Sequence, residues 1–203
     1  MARYLGPRSK IVRRLEYPVF ESTKFSSLRK NYPPGQHGTA RRRKVSTYGL
    51  QLREKQRIKH LYGVLERQFR NYFKKATTQA GPTGHNLLII LEARLDNVIY
   101  RLGLAPTRRA ARQIVSHKHV LVNDRSVNIP SYSVKPGDVV RIREKSRQLE
   151  LVHQAMRRIS SDNQLPWLEL DKSQMTGIFK TTPQRNEIPE DVNEQLVVEL
   201  YSK

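Results

Sequence analysis

Arg94–Asn123 reads RLDNVIYRLGLAPTRRAARQIVSHKHVLVN, and the fold turns on how this stretch is divided. Leu87, Leu91, Leu95, Val98 and Leu102 recur at helical spacing and predict one long amphipathic helix that stops at Gly103. Pro106-Thr107 then opens a short second helix, with Thr107 placed to cap it. On a wheel of about 100° per residue, Arg108, Arg112 and Arg109 fall within about 100° of arc, and Ala110, Ile114, Ala111 and Val115 fill the other side. One face is built to bury and the other to bind. Strands follow. Val120-Leu121-Val122 runs into a turn at Asn123-Asp124-Arg125, then Val127 and Ile129, and Lys135-Pro136-Gly137-Asp138 is a second turn. Val140 and Ile142 alternate with Arg141 and Arg143. Helices and strands segregated in this way predict an α+β fold, a helix pair beside a compact basic sheet.

Working outward toward the N-terminus, Gly81-Pro82-Thr83-Gly84 reads as a linker, and residues 46–75 as two helices broken near Gly63. The second helix carries Leu65, Phe69, Tyr72 and Phe73 on one face and Arg67, Arg70 and Lys74 on another. The first carries Arg53, Arg57 and His60 in a stripe, with Lys55 and Lys59 beside it. Glu54 and Glu66 are the only acids in these two helices, so the cations are expected to face phosphate rather than to pair with one another's neighbours. Residues 1–44 contain Gly6-Pro7, Pro18, Pro33-Pro34-Gly35 and Gly38, and read as an irregular basic arm. Its aromatic residues, Tyr4, Tyr17, Phe20, Phe25 and Tyr32, are expected to anchor it by local packing. Beyond the sheet, Leu149, Val152, Met156 and Ile159 predict another half-buried helix, and Trp167 a core position in a strand.

Charge narrows the partner. The 203 residues carry 38 Lys and Arg against 18 Asp and Glu, a formal net charge of +20. Residues 1–75 hold +16 of it, residues 76–146 hold +6, and residues 147–203 are at −2. A field of this sign attracts polyanions, and neutralising phosphates releases condensed counterions, which makes nucleic acid the expected partner. An acidic membrane surface is the competing reading. The longest apolar run, Leu87–Leu91, is far below the roughly 18 residues of a spanning helix. The start, MARYLGPRSKIVRR, has no apolar core of a secretory signal. With no cysteine there are no disulfides, thiolate metal sites or cysteine nucleophiles, and redox usage leaves the compartment open.

The 94–123 stretch resembles the RNA-binding module named after small-subunit ribosomal protein four, a module also found in pseudouridine synthases, some tRNA synthetases and a ribosome-rescue protein. The flanking motifs narrow the resemblance. YPPGQHG at Tyr32–Gly38, YGLQLREKQRIKHLYGVLERQFRNYF at Tyr48–Phe73 and VNEQLVVELYSK at the C-terminus resemble the bacterial-type family of small-subunit ribosomal protein four itself, as does MARYLGP at the start. A resemblance beginning at Met1 argues against a transit peptide. Zinc-binding members carry four cysteines in the arm, and here the first two align with Ser9 and Val12, so the resemblance is to the cysteine-free version, with no metal and no cofactor expected.

The resemblance implies a basic arm over residues 1–44, a helical lobe from 45–92 with 181–203, and an inserted RNA-binding module over 93–180 with its core at 94–146, a helix pair on a small, largely antiparallel sheet. It implies a structural constituent of the small ribosomal subunit, cytoplasmic or in an organelle that encodes its own copy, and not an enzyme. Such a protein binds a multi-helix junction in the 5′ domain of the ribosomal RNA early, nucleates assembly of the subunit body, and influences decoding accuracy. It lies where mRNA enters, with protein five as a neighbour and protein three as a second candidate. The expected RNA-binding residues are Arg3, Lys10, Arg13, Arg14, Gln36, His37, Arg41, Arg42, Arg43, Lys44, Arg53, Lys55, Arg57, Lys59, Arg67, Arg70, Lys74, Arg108, Arg109, Arg112, His117 and Lys118. Arg41–Lys44 are candidates for touching mRNA or ribosomal RNA alike.

Two rival functions follow from the same residues. Arg94-Leu95-Asp96 resembles the catalytic tripeptide of some pseudouridine synthases, but the chain has no room for a separate catalytic domain. A regulatory or antitermination RNA-binding factor acting off the ribosome is the alternative binding reading. Pro33–Gly38 lacks the Gly-Lys-Ser/Thr ending of a nucleotide loop, and the six histidines lack metal-ligand spacing.

Overall fold

The computed structural model describes every residue except 1–3, 26–27, 29, 31, 41–43, 158–164 and 203. The chain divides into two compact units, Met1–Asn86 with Glu190–Lys203, and Leu87–Pro189. Its helices are α1 (Arg8–Leu15), α2 (Thr47–Leu61), α3 (Glu66–Thr77), α4 (Thr83–Glu92), α5 (Leu95–Arg101), α6 (Arg108–Ser116), α7 (Glu150–Met156) and α8 (Glu194–Tyr201). The strands are β1 (Val120–Val122), β2 (Arg125–Ser126), β3 (Val139–Ile142), β4 (Leu168–Asp171) and β5 (Thr176–Phe179).

The first unit is built by helix ends that close themselves. Ser46 Oγ accepts the Gly49 amide at 3.2 Å to start α2, and Gly63, at φ +62°, turns the chain between α2 and α3 as its position predicted. Asn193 Oδ1 caps α8 through the Gln195 and Leu196 amides. Helix α8 returns to pack on α2. There Gln51 donates to Glu199 at 2.9 Å, and the Tyr201 ring stacks on Phe73 with centroids 4.5 Å apart. Phe69, Tyr72, Phe73, Ile58 and Val197 are buried, whereas Leu65 caps α3 and stays 38% exposed rather than joining the apolar face.

The arm is less irregular than its composition predicts. Prolines 7 and 18 bracket a stretch just long enough for the eight residues of α1, which buries Val12 and Leu15 with Val19. Tyr17, Phe20 and Phe25 pack on this small cluster, in line with the anchoring expected of them.

In the second unit α5 and α6 pack together beside a five-stranded antiparallel sheet of order β2-β1-β3-β5-β4. Asn123 and Asp124 both take positive φ, 47° and 64°, the geometry of a tight hairpin turn, and pair Val122 with Arg125. Asp138 Oδ2 accepts the Lys135 amide at 2.8 Å and closes the second predicted turn. Val120, Val122, Val140, Ile142, Phe179 and Trp167 fill the core with Ala111, Ile114 and Val115 of α6. Gly177 lets β5 meet Leu102 closely, since a Cβ there would stand 2.4 Å from Leu102 Cδ1. Helix α7 buries Val152, with Leu149 and Met156 partly buried against the same core, and Ile159 lies outside the described residues.

Two further sequence expectations are corrected by the helix boundaries. Helix α4 already starts at Thr83, so only Gly81-Pro82 act as the linker. The long helix from Leu87 to Leu102 is two helices. At the break Arg94 is extended, and residues 130–134 run alongside as a strand would. The Leu95 amide donates to Tyr132 O at 2.8 Å and the Val134 amide to Ala93 O at 2.8 Å. Backbone groups that a continuous helix would satisfy internally are satisfied across the chain instead.

Candidate nucleic-acid interface

The expected RNA-binding residues fall into three sets. Arg3, Arg41, Arg42 and Arg43 lie outside the described residues. Lys10, Arg14, Gln36, His37, Lys44, Arg67, Arg70, Lys74, His117 and Lys118 are exposed. The third set is held inside its own unit by protein groups.

Helix α3 shows how the exposed set is presented. Phe69, Tyr72, Phe73 and Ala76 anchor one face, so Arg67, Arg70 and Lys74 are turned outward along the other. None of the three makes an ion pair among the described residues. Asn71 and Lys75 extend the same exposed surface and were not singled out in the sequence. In the other unit, Arg125 at the hairpin, and Arg143 and Lys145 just past β3, are exposed cations outside the expected RNA-binding set. Arg143 was placed by its alternation with Val140 and Ile142 and Arg125 by its turn, whereas Lys145 lies beyond the strand and carries no periodic signal.

Helix α2 departs from the expected picture. Lys55 Nζ and Lys59 Nζ both bond the carboxylate of Glu66, at 2.8 and 3.1 Å. Arg57 pairs with Glu54, donates to the Leu15 carbonyl at 3.5 Å, and lies over the Tyr17 ring. Arg53 pairs with Glu16 at 3.2 Å. The two acids of these helices therefore take three of the cations, and Glu16, from α1's end, takes a fourth, Arg53. Arg13 is likewise engaged, by carbonyls of the arm.

Glu66 is the hub of this arrangement. Burial works to raise its carboxyl, but the hydrogen bonds and charges of Lys55 and Lys59 outweigh that and hold it down to about 2. Tyr201 Oη donates to the same carboxylate at 3.1 Å, and its phenol is raised by burial and then by Glu66. Burial, helped by the charge of Lys59, lowers His60 to about 4. Both groups bind protons less readily folded than unfolded, so both contribute stability at neutral pH that is lost on acidification. His60 acts between 6.5 and about 4, and Glu66 between 4.5 and about 2. Glu66's side chain is 40% exposed, so after solvent screening its share is about 1 kcal/mol. The urea midpoint is expected to fall from pH 7 to pH 3, and Glu66→Gln to flatten the part below pH 4.5. An unchanged acid limb in Glu66→Gln would remove Glu66 as its source.

In the module the arginine helix is pinned by α5. Thr107 Oγ1 accepts the Ala110 amide at 3.1 Å, the cap its sequence predicted. Arg108 is buried, because at i+3 and i+7 from it stand Ala111 and Val115 of the buried face. Its Nε donates to Asn97 Oδ1 at 2.8 Å and its guanidinium stacks 4.6 Å from the Tyr100 ring centroid. Arg112 reaches Asp96 at 3.8 Å, and Arg109 is half-buried. Beneath them Arg94 grips Asp96 through Nε and Nη2 at 3.0 and 2.5 Å, and Arg101 grips Glu92 in the same two-pronged way at 3.0 and 2.6 Å. Asp96 is thus the acceptor of a buried structural pair.

A helix pair with basic side chains on a small antiparallel sheet defines the class: residues 93–140 match the S4 domain, and residues 3–92 match the family described as ribosomal protein S4/S9 N-terminal domain. Over its whole length the chain is 57% identical to small ribosomal subunit protein uS4 of Parabacteroides distasonis and 56% identical to that of Porphyromonas gingivalis, each also covered in full. The protein of that name from Marinobacter nauticus is 53% identical, again with both chains fully covered. The chain belongs to the family of small ribosomal subunit protein uS4. This is a family of structural, non-enzymatic proteins. No described helix is long and apolar enough to cross a membrane.

Proposed function

We propose that the protein is a structural constituent of the small ribosomal subunit that binds ribosomal RNA directly and early, at a multi-helix junction of the 5′ domain, and so nucleates assembly of the subunit body. The observation that carries this is the Arg67–Arg70–Lys74 face: three exposed cations held in register by a buried aromatic face. Folded RNA hides its bases in a deep groove and is met chiefly through backbone shape, which calls for charges at fixed spacing. Phosphate contacts fix the position, and the shape of the RNA supplies selectivity.

On this reading Lys10, Arg14 and Lys44, exposed in one unit, and His117 and Lys118, exposed in the other, add contacts to the same RNA. Membership of the uS4 family supports cytoplasmic ribosomes as the location, protein five and protein three as neighbours, and a place beside incoming mRNA with an effect on decoding accuracy. Arg41–Lys44 would contact mRNA or ribosomal RNA there.

The test is competition binding by the purified chain. The junction RNA should hold the protein at least tenfold tighter than a random-sequence RNA of equal length, and the chain should stay with small subunits through a high-salt wash. Equal affinity for both RNAs, or loss from the subunit in the wash, would overturn the proposal.

A further inference from the structure

The turn at residues 32–40 is fixed far more firmly than a solvent-facing loop requires. Arg13, on α1, donates from Nε to the Tyr32 carbonyl at 2.7 Å and from Nη2 to the Pro33 carbonyl at 3.1 Å. Its guanidinium also lies 4.7 Å from the centroid of the Tyr32 ring. Gly38 folds back onto this anchored pair so closely that a Cβ there would stand 2.1 Å from the Pro33 carbonyl oxygen. The Gly38 amide donates to Gly35 O at 3.3 Å and the Ala40 amide to His37 O at 3.1 Å, while Gly35 takes φ +116°. Each of these features removes freedom from the same few residues.

What the turn holds out is Gln36 and His37. Both are exposed, and neither side chain has a hydrogen-bond partner among the described residues. Their chemistry differs from that of the basic surface around them. A carboxamide and an imidazole each offer a donor and an acceptor, whereas a phosphate accepts only and is better met by lysine or arginine. The exposed cations Lys10, Arg14, Lys30 and Lys44 of the same segment already supply that role. Paired donors and acceptors match base edges and the ribose 2′-hydroxyl, the groups through which unpaired RNA is distinguished.

We infer that Gln36 and His37 are specificity-determining residues that hydrogen-bond uncharged groups of unpaired RNA, with Arg13 as the positioning residue that holds their turn. The inference rests on the RNA-binding function proposed above. It moves Arg13 out of the set that meets phosphate and gives Gln36 and His37 a contact chemistry of their own. Counterion release then provides the test, because a contact to a base or a 2′-hydroxyl displaces no condensed ion.

The experiment is a salt titration of junction-RNA binding by the full chain at one fixed pH. Replacing Gln36 and His37 together with alanine should weaken binding about 10–100-fold and leave the salt slope unchanged. Arg13→Lys keeps the charge but loses the two-carbonyl grip, and should reproduce that loss at the same slope. Combining all three changes should lose no more than either alone, the non-additivity expected of one unit. Thermal melting checks that each variant is folded, and the Gln36 and His37 changes, being on the surface, should leave it unaltered.

Single 2′-deoxy and single base substitutions, made at the nucleotides the turn protects, separate the two uncharged sources. Whichever set ceases to discriminate the double variant from the unaltered protein identifies the group that is read. A shallower slope in the double variant would overturn the inference in favour of phosphate contact, and so would unchanged affinity. If the unaltered protein fails to prefer the junction over random RNA, it is the proposed function that falls, and that arm is read first.

Discussion

Glu92→Ala is expected to cost the module about 3–5 kcal/mol, a large share of the roughly 5–15 kcal/mol by which a domain of this kind is stable. The side chain of Glu92 is 0% exposed and that of Arg101 is 9% exposed, so neither charge is hydrated. Arg101 holds the carboxylate through Nε and Nη2, and Asn97 Nδ2 donates to it at 2.6 Å. Taking two charges out of water is costly, and their mutual attraction offsets that cost only while both are present. Removing the carboxylate strips a buried guanidinium of its two-pronged acceptor and leaves the Asn97 amide only the Glu92 backbone carbonyl, at 3.2 Å. Glu92→Leu combined with Arg101→Met should therefore recover most of the loss, because it removes both desolvation penalties and leaves apolar volume. Urea unfolding of the three proteins measures this directly. If Glu92→Ala lost less than about 1 kcal/mol, the pair would be adequately hydrated and its structural role would disappear.

The same cluster explains which parts of this fold could be read in advance. Thr107 and the Asn123-Asp124 turn were legible because each is decided by the neighbouring few residues: a hydroxyl three positions before an open amide, and two residue types that tolerate positive φ. The break between α4 and α5 was not, because Leu87 to Leu102 keeps its helical period through it. The break is made by Pro130–Val134, nearly forty positions later, and by the burial of Arg94 against Asp96. Periodicity reports which face is apolar, not whether the backbone is continuous. The exposure of the candidate surface was legible in the same partial way. Arg67, Arg70 and Lys74 face outward as expected because their aromatic counterface is on the same helix. Lys55 and Lys59, equally well spaced, are claimed by an acid seven and eleven residues away across Gly63. Arg108 looked like a binding residue because arginines rarely bury, and what buries it is Asn97, one helix earlier.

That division sets up the second large effect. Replacing Arg67, Arg70 and Lys74 with alanine is expected to make the salt dependence of junction-RNA binding shallower by about 2–3 units of slope, at about 0.9 per duplex phosphate released. Between 50 and 200 mM salt the variant should then lose about fortyfold less affinity than the unaltered protein, while starting from weaker binding at the lower salt. The melting curve should hardly move, since the three side chains are exposed and make no ion pair among the described residues. Lys55→Gln with Lys59→Gln is the informative contrast. Both ammonium groups already bond the Glu66 carboxylate, which offsets one of their two charges, so about one condensed counterion at most is theirs to displace. That variant should lose folding stability, chiefly by leaving the Glu66 carboxylate without its two cations and with the Tyr201 hydroxyl alone donating to it, and change the slope by less than one unit. Were the two variants to exchange behaviours, with the α2 lysines carrying the slope and the α3 face carrying the stability, then Glu66 would release its lysines to the RNA on binding. The protein would then meet its partner through side chains that the free state keeps occupied.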